Sequence, residues 1–79
     1  MIKSYEEKLK EWIELERKAR KIRKEEADWD FIEKQPLRIK AALKYYIETG
    51  DIRASSKIAK MPLDRFRELL REAKIPVVV

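Results

Sequence analysis

No glycine or proline occurs in the first 35 residues of this chain, and this absence most constrains how the chain can fold. Glycine and proline are the residues that most strongly interrupt a helix. Ser4 followed three residues later by Glu7 matches a capping box, a pattern that begins many helices. The sequence therefore predicts one long helix from Ser4 to about Asp28.

One side of this predicted helix is apolar. Its apolar residues recur slightly more often than once per helical turn of about 3.6 residues, so the stripe drifts around the helix as contacts do in left-handed coiled coils. Arg17, Lys21 and Lys24 lie opposite the stripe. The stripe comprises Tyr5, Leu9, Trp12, Leu15, Ala19 and Ile22.

Aromatic and aliphatic side chains in this part of the chain are candidates for binding another helix. Three interpretations stay open: a partner's groove, a second copy of the same helix, or the chain's own remaining helices. A homodimer is expected, because a core built from 79 residues contributes little stability by itself. The candidate partner-binding residues are Tyr5, Leu9, Trp12, Ile13 and Trp29.

Residues that begin and end helices divide the rest of the chain. Asp30 with Glu33 repeats the capping pattern and predicts a short helical turn, after which Pro36 starts a new helix. Gly50, the only glycine, is expected to end that helix. Further helices are predicted over residues 36–49, 53–60 and 62–73, before an extended tail at residues 77–79.

These elements predict an all-α fold, in which a long N-terminal amphipathic helix precedes a compact C-terminal helical domain with a helix-turn-helix. The predicted division lies between residues 1–35 and residues 36–79. A helix-turn-helix needs a small residue where its helices cross, apolar inner faces and a short turn between the helices. In this sequence Lys60 occupies the predicted turn. The predicted inner residues are Ser56, Ala59, Met61, Phe66 and Leu69.

The excess of positive charge lies in the C-terminal half. Residues 1–35 carry ten basic and ten acidic side chains, whereas residues 36–79 carry ten basic and five acidic ones, which accounts for the net charge of +5. Such an excess suits a polyanion, although an ordinary basic surface has the same composition. The candidate nucleic-acid-binding residues are Arg53, Lys57, Lys60, Arg65, Arg67 and Arg71.

The last predicted helix carries the strongest candidates for base recognition. Arg67 and Arg71 are four residues apart on its outward face, so both can reach a major groove. Arg67 is the candidate for binding guanine, which arginine pairs bidentately. Asp64 and Glu68 share that face and repel phosphates, so a helical hairpin without nucleic acid stays an alternative.

Several segments of the C-terminal half occur in a distinctive order: Gly50-Asp51-Ile52, Lys57-Ile58-Ala59-Lys60-Met61, Phe66-Arg67-Glu68-Leu69-Leu70 and Ile75-Pro76-Val77. In this respect residues 41–78 resemble small prokaryotic helix-turn-helix antitoxins, which often accompany PIN-domain ribonuclease toxins. Lys60 stands where that family usually has a turn glycine, and Pro62-Leu63 replaces a Ser-Arg type of helix start. The resemblance implies an autoregulatory protein with double-stranded DNA and a toxin as partners.

The basic run at residues 17–24, in which six of eight positions are cationic, leaves other functions open. The run can be a solvated helix face whose charge the flanking carboxylates neutralise. It can instead bind RNA or a ribosome, with the helix-turn-helix acting only as a scaffold. A third alternative is a helical adaptor subunit of a larger complex that contacts no nucleic acid.

Composition also argues against several classes of function. The chain has no cysteine and no histidine, so it lacks the usual thiolate and imidazole metal ligands and the commonest general base. We therefore expect no enzymatic activity, no metal and no cofactor. No apolar run of about 20 residues occurs, and the N-terminus lacks the apolar core of a signal peptide, so we expect no membrane segment and a cytoplasmic location.

Overall fold

The computed structural model of the protein describes residues 2–77, with side chains from Tyr5 onwards. Every regular element in this part of the chain is an α-helix, and none of these helices is both long and apolar enough to cross a membrane. The predicted all-α fold with a long first helix is therefore confirmed. The helices are α1 Ile2–Glu26, α2 Trp29–Glu33, α3 Leu37–Thr49, α4 Ile52–Ala59 and α5 Leu63–Glu72.

α1 and α2 meet at a turn around Asp28. α1 begins at Ile2, before the predicted start at Ser4, whose side chain lies outside the described ones, and it ends two residues before Asp28. The Asp28 carboxylate accepts a hydrogen bond from the backbone N–H of Phe31 at 3.1 Å. Asp28 rather than Asp30 is thus the N-cap of α2, because its extended backbone turns the side chain onto the first free N–H groups.

α3 and the turn that follows it agree with the prediction. Pro36 precedes the first residue of α3, and Gly50 ends the helix in the left-handed conformation at φ 70°. Asp51 then caps α4, since its carboxylate accepts a hydrogen bond from the backbone N–H of Ala54 at 3.0 Å. α4 and α5 each begin and end within one residue of their predicted limits. In the predicted extended tail, Val77 belongs to no strand, and residues 78 and 79 lie outside the described part.

α4 and α5 are both followed by a lysine in the left-handed conformation. Lys60 has φ 55° and Lys74 has φ 57°. After each lysine, the next backbone N–H donates to the carbonyl five residues earlier, at 3.0 Å after Lys60 and 2.9 Å after Lys74. These bonds satisfy carbonyls at the helix ends, but a side chain at a left-handed position costs about 1 kcal/mol.

Helices α2, α3, α4 and α5 and the C-terminal end of α1 share a single hydrophobic core. α3 lies in its middle and contacts α1, α2 and α4, while the Tyr46 ring meets the edge of Phe66 from α5 with ring centres 6.3 Å apart. Side chains from both sides of the predicted division at residue 35 share this core. Its buried residues are Ala27, Ile32, Ala42, Leu43, Tyr46, Ile47, Ala59, Phe66, Leu69, Leu70, Ala73 and Ile75.

α1 extends well beyond this core. Every residue from Tyr5 to Leu15 is exposed, and the first buried side chain after Tyr5 is that of Arg23. A helix of 25 residues is about 38 Å long. α1 therefore accounts for most of the 48 Å length of a molecule that measures 23 × 18 Å across. We call the exposed segment, residues 5–15, the α1 arm.

Lys60→Gly is expected to stabilise the protein by about 1 kcal/mol, because glycine adopts the left-handed conformation without the steric cost of a Cβ. Lys57→Gly is the matched control, since Lys57 is an exposed lysine within α4, and it is expected to destabilise by about 1 kcal/mol. Urea denaturation of both variants measures the two free energies of unfolding. A Lys60→Gly protein less stable than the wild type would contradict this description of the turn.

Candidate functional site

The six cationic side chains predicted to bind nucleic acid lie at the surface of α4, α5 and the turn between them. Within α4, Arg53 and Lys57 are one helical turn apart, and within α5 the same holds for Arg67 and Arg71. Each pair therefore shares one side of its helix. All six are exposed: Arg53, Lys57, Lys60, Arg65, Arg67 and Arg71.

α5 turns its apolar side towards the core. Phe66 and Leu69 are buried as predicted, together with Leu70. Because successive helical residues are about 100° apart, this register directs Arg67 and Arg71 away from the core. The structure thus places the two strongest candidates for base recognition on the outer side of the last helix.

Five of the six cations form no ion pair within the described part of the chain. The exception is Arg65, whose Nη1 lies 3.9 Å from the carboxylate of Glu68 on the same helix. This contact partly neutralises Glu68, one of the two acidic residues expected to repel phosphates. The other is Asp64, an exposed residue in the first turn of α5, where the helix dipole favours a carboxylate.

Carboxylates neutralise several cations of α1 and α3. Nζ of Lys24 lies 2.9 Å from Glu48, and this hydrogen bond lowers the pKa of the Glu48 carboxyl. Lys44 and Lys40 lie 3.0 and 3.4 Å from Glu33, and their hydrogen bonds lower the pKa of Glu33, Lys44 more than Lys40. Such pairing reduces the positive charge of the α1–α3 surface more than that of the α4–α5 surface.

Small side chains line the inner face of α4. Ser55, Ser56 and Ala59 are buried, and the two hydroxyls donate to backbone carbonyls of the preceding turn at 2.7 and 2.8 Å. These bonds offset the cost of burying a hydroxyl. Ser56 and Ala59 thus face inwards as predicted. Met61 is half-buried rather than buried, because it borders an open surface groove next to Leu69.

Arg23 is a buried residue that the sequence did not single out, because it lies within a run of cationic residues that predicts a solvated helix face. Its side chain is only 4% exposed. Nε donates to the carbonyl of Ile47 at 2.9 Å, and the guanidinium lies 5.8 Å from the centre of the Tyr46 ring. The one sequence signal for its burial is the spacing Ala19–Arg23–Ala27, which puts a small residue one turn away on each side.

The predicted partner-binding residues of α1 do not pack against the chain's own helices. Tyr5 is 72% exposed and Trp12 is 61% exposed, and Leu9 and Ile13 are exposed as well. Trp29 is separate from this group, because its indole Nε1 donates to the carbonyl of Lys24 at 2.9 Å, at the opposite end of α1. The structure thus brings four of the five residues together on the α1 arm.

Comparison with protein-family models, with curated proteins and with solved structures finds no match to this chain. Within the described residues, the acidic side chains form no cluster of three or more suited to a metal ion. Function is therefore inferred from the surfaces of the molecule itself.

Arg23→Ala is expected to lower the free energy of unfolding by about 2 kcal/mol, because it removes a charge-assisted hydrogen bond and leaves the Ile47 carbonyl unpaired. Arg20→Ala is the matched control from the same basic run, since Arg20 is exposed, and its effect should stay within about 0.5 kcal/mol. Urea denaturation measures both values. Equal stabilities of the two variants would show that Arg23 does not attach α1 to α3.

Alkaline pH is expected to destabilise the protein through Tyr46. Burial raises the pKa of the Tyr46 phenol above its usual value of 10.0, although the charge of Arg23 opposes this shift. The pKa of this phenol is therefore higher in the folded state than in the unfolded chain. The stability that the protonated phenol contributes is fully present below pH 10.0 and is lost as the pH rises through the folded-state pKa.

The Tyr46→Phe variant should therefore lose less stability than the wild type when the pH is raised above 10.0. Tyr45→Phe is the control, because Tyr45 is the exposed neighbour on the same helix. Denaturation in urea at a series of pH values compares the three proteins. If all three decline in parallel above pH 10.0, the burial of the Tyr46 phenol does not contribute.

Proposed function

We propose that this protein binds double-stranded DNA through α4 and α5, which act as a helix-turn-helix. The observation that supports the proposal most directly is the set of exposed, unpaired cations on these two helices and on the turn between them. A surface of this kind attracts phosphates at long range and can contact them on binding. Asp64 and Glu68 reduce this attraction, but Glu68 lies 3.9 Å from Arg65 and is partly neutralised by it.

In the proposed complex, α5 lies in the major groove. Arg67 pairs with a guanine edge, because the planar guanidinium can donate to both guanine acceptors at once. Arg71, one turn further along α5, binds the adjoining backbone or a second base. Arg53 and Lys57 on α4 bind phosphates and thereby set the position of α5 in the groove.

The turn between the helices supports this proposal. A helix-turn-helix needs a left-handed residue at the turn, which is why glycine is common there. Lys60 adopts that conformation with φ 55° and ψ 45°. Lys60 thus provides the required conformation at a cost of about 1 kcal/mol, and it adds a cation at the place where the two helices meet.

A role as an antitoxin follows as the more specific form of the proposal. It rests on the resemblance of residues 41–78 to small helix-turn-helix antitoxins. In this form the protein represses its own gene and neutralises a ribonuclease toxin, which it binds with a surface other than α4 and α5. A nuclease encoded next to this gene, and inhibited by the purified protein, is the result expected of an antitoxin.

RNA binding by residues 17–24 receives less support. Arg23 is buried, Lys24 is bound to Glu48, and Lys21 lies 3.9 Å from Glu25. Only three cations of the basic run are thus free of such contacts within the described residues, whereas α4, α5 and their turn provide five.

Arg67→Ala is expected to weaken binding to a duplex taken from the DNA upstream of the protein's own gene by about 1–3 kcal/mol, but to change binding to a scrambled duplex of equal length little. Lys57→Ala should weaken both equally and reduce the slope of log affinity against log salt by about 1, as the loss of one phosphate contact does. Fluorescence anisotropy over a range of salt concentrations measures both effects.

The double variant Arg20→Ala/Lys21→Ala is the control on α1, and it should bind both duplexes almost as the wild type does. Loss of affinity for single-stranded or hairpin RNA in that variant, with no effect of Arg67→Ala on any duplex, would instead establish the RNA function. If neither variant changes binding to any nucleic acid at moderate salt, the proposed DNA function is wrong.

A further inference from the structure

The α1 arm carries apolar side chains that nothing in the described chain covers. Exposed apolar side chains continue beyond the arm as far as Ile22, which lies about 26 Å along the helix from Tyr5. Their exposures are high for side chains of this size: 72% for Tyr5, 61% for Trp12, 65% for Leu15 and 45% for Ile22. With Leu9 they form what we call the α1 apolar face. Contiguous exposed apolar residues of this kind are typical of an interaction surface.

A groove borders this face where α1 joins the rest of the molecule. It has a volume of about 360 Å³ and lies between α1 and the turn after α3, with Leu15 and Ala19 on one side and Thr49 and Gly50 on the other. Arg23 also borders it, and its Nη2 is buried without a hydrogen-bond acceptor among the described residues. The groove thus combines apolar walls with a positive charge that is incompletely paired.

The charge along α1 is divided into two parts. Residues 5–16 carry five acidic and two basic side chains, whereas residues 17–24 carry six basic side chains and no acidic one. Two such helices laid side by side in the same direction would place like charges against each other. Most cations of the basic part lie opposite the apolar face or are already engaged, but Glu11 and Lys18 lie along the same edge of that face. In an antiparallel pair centred on Leu15, Glu11 of each helix lies near Lys18 of the other, which favours the antiparallel arrangement.

We propose that a second copy of this chain covers the α1 apolar face, with the two α1 helices antiparallel. Glu11 of each helix then lies near Lys18 of the other, and the N-terminal part of each α1 reaches the groove next to Arg23 of the other copy. Leu15 lies near the twofold axis, where it meets its own copy. This proposal does not depend on DNA binding, because it uses no residue of α4 or α5.

Sedimentation equilibrium tests the interface. The wild-type protein is expected to dimerise in the micromolar range, and Trp12→Glu should raise the dissociation constant about 30-fold, as the loss of a central aromatic contact does. Leu37→Glu is the matched control, because Leu37 is 80% exposed but lies on α3, outside the α1 apolar face, and this variant should dimerise as the wild type does. Circular dichroism checks that both variants keep their helices.

Disulfide crosslinking tests the direction of the helices. The chain has no cysteine, so each introduced thiol is the only one. Lys8→Cys and Ile22→Cys lie on the same side of α1, at equal distances before and after Leu15 and about 21 Å apart along the helix. In an antiparallel dimer, a mixture of the two variants forms a crosslinked heterodimer, and neither variant crosslinks to itself, because a disulfide needs Cα atoms within about 7 Å.

Each other outcome overturns the proposal. A wild-type protein that stays monomeric at all concentrations leaves the α1 apolar face to a different partner, such as a toxin. Equal dimerisation of Trp12→Glu and the wild type places the interface elsewhere. Self-crosslinking of Lys8→Cys and of Ile22→Cys, without the heterodimer, shows a parallel dimer.

Discussion

The buried guanidinium of Arg23 holds α1 in one position against the rest of the molecule. Moving a charge out of water is unfavourable unless the surroundings replace its hydration. Here the Ile47 carbonyl accepts a hydrogen bond at 2.9 Å, the Tyr46 ring lies 5.8 Å away, and the C-terminal end of α3 carries a partial negative charge. Together these contacts hold α1 against the C-terminal end of α3, the point from which α1 extends away from the core.

The only glycine of the chain makes this contact compatible with the next helix. A Cβ at Gly50 would lie 3.1 Å from Nη1 of Arg23, and the φ of 70° at this position is itself one that glycine adopts most easily. Asp51 follows directly and caps α4. The α1 apolar face and the cationic surface of α4 and α5 are therefore both positioned from the C-terminal end of α3.

Helices were predictable where their causes are local. α1 forms where glycine and proline are absent, and α3 ends at the left-handed Gly50, so neighbouring residues alone account for both. The N-cap of α2 could not be predicted in this way, because Asp28 and Asp30 carry the same side chain. Asp28 is selected by a distant contact, since its backbone N–H donates to the carbonyl of Ala73 at 2.7 Å, which holds the turn against the end of α5.

The helical elements, the inward side of α5 and the positive excess of the C-terminal half follow from the order of the amino acids, because spacing and composition encode them directly. The burial of Arg23 and the exposure of Tyr5 and Trp12 depend instead on how the helices pack against one another. Residues of one helix differ in burial only through what packs opposite them. α3 meets α1 near Arg23, and no other described helix covers the α1 arm.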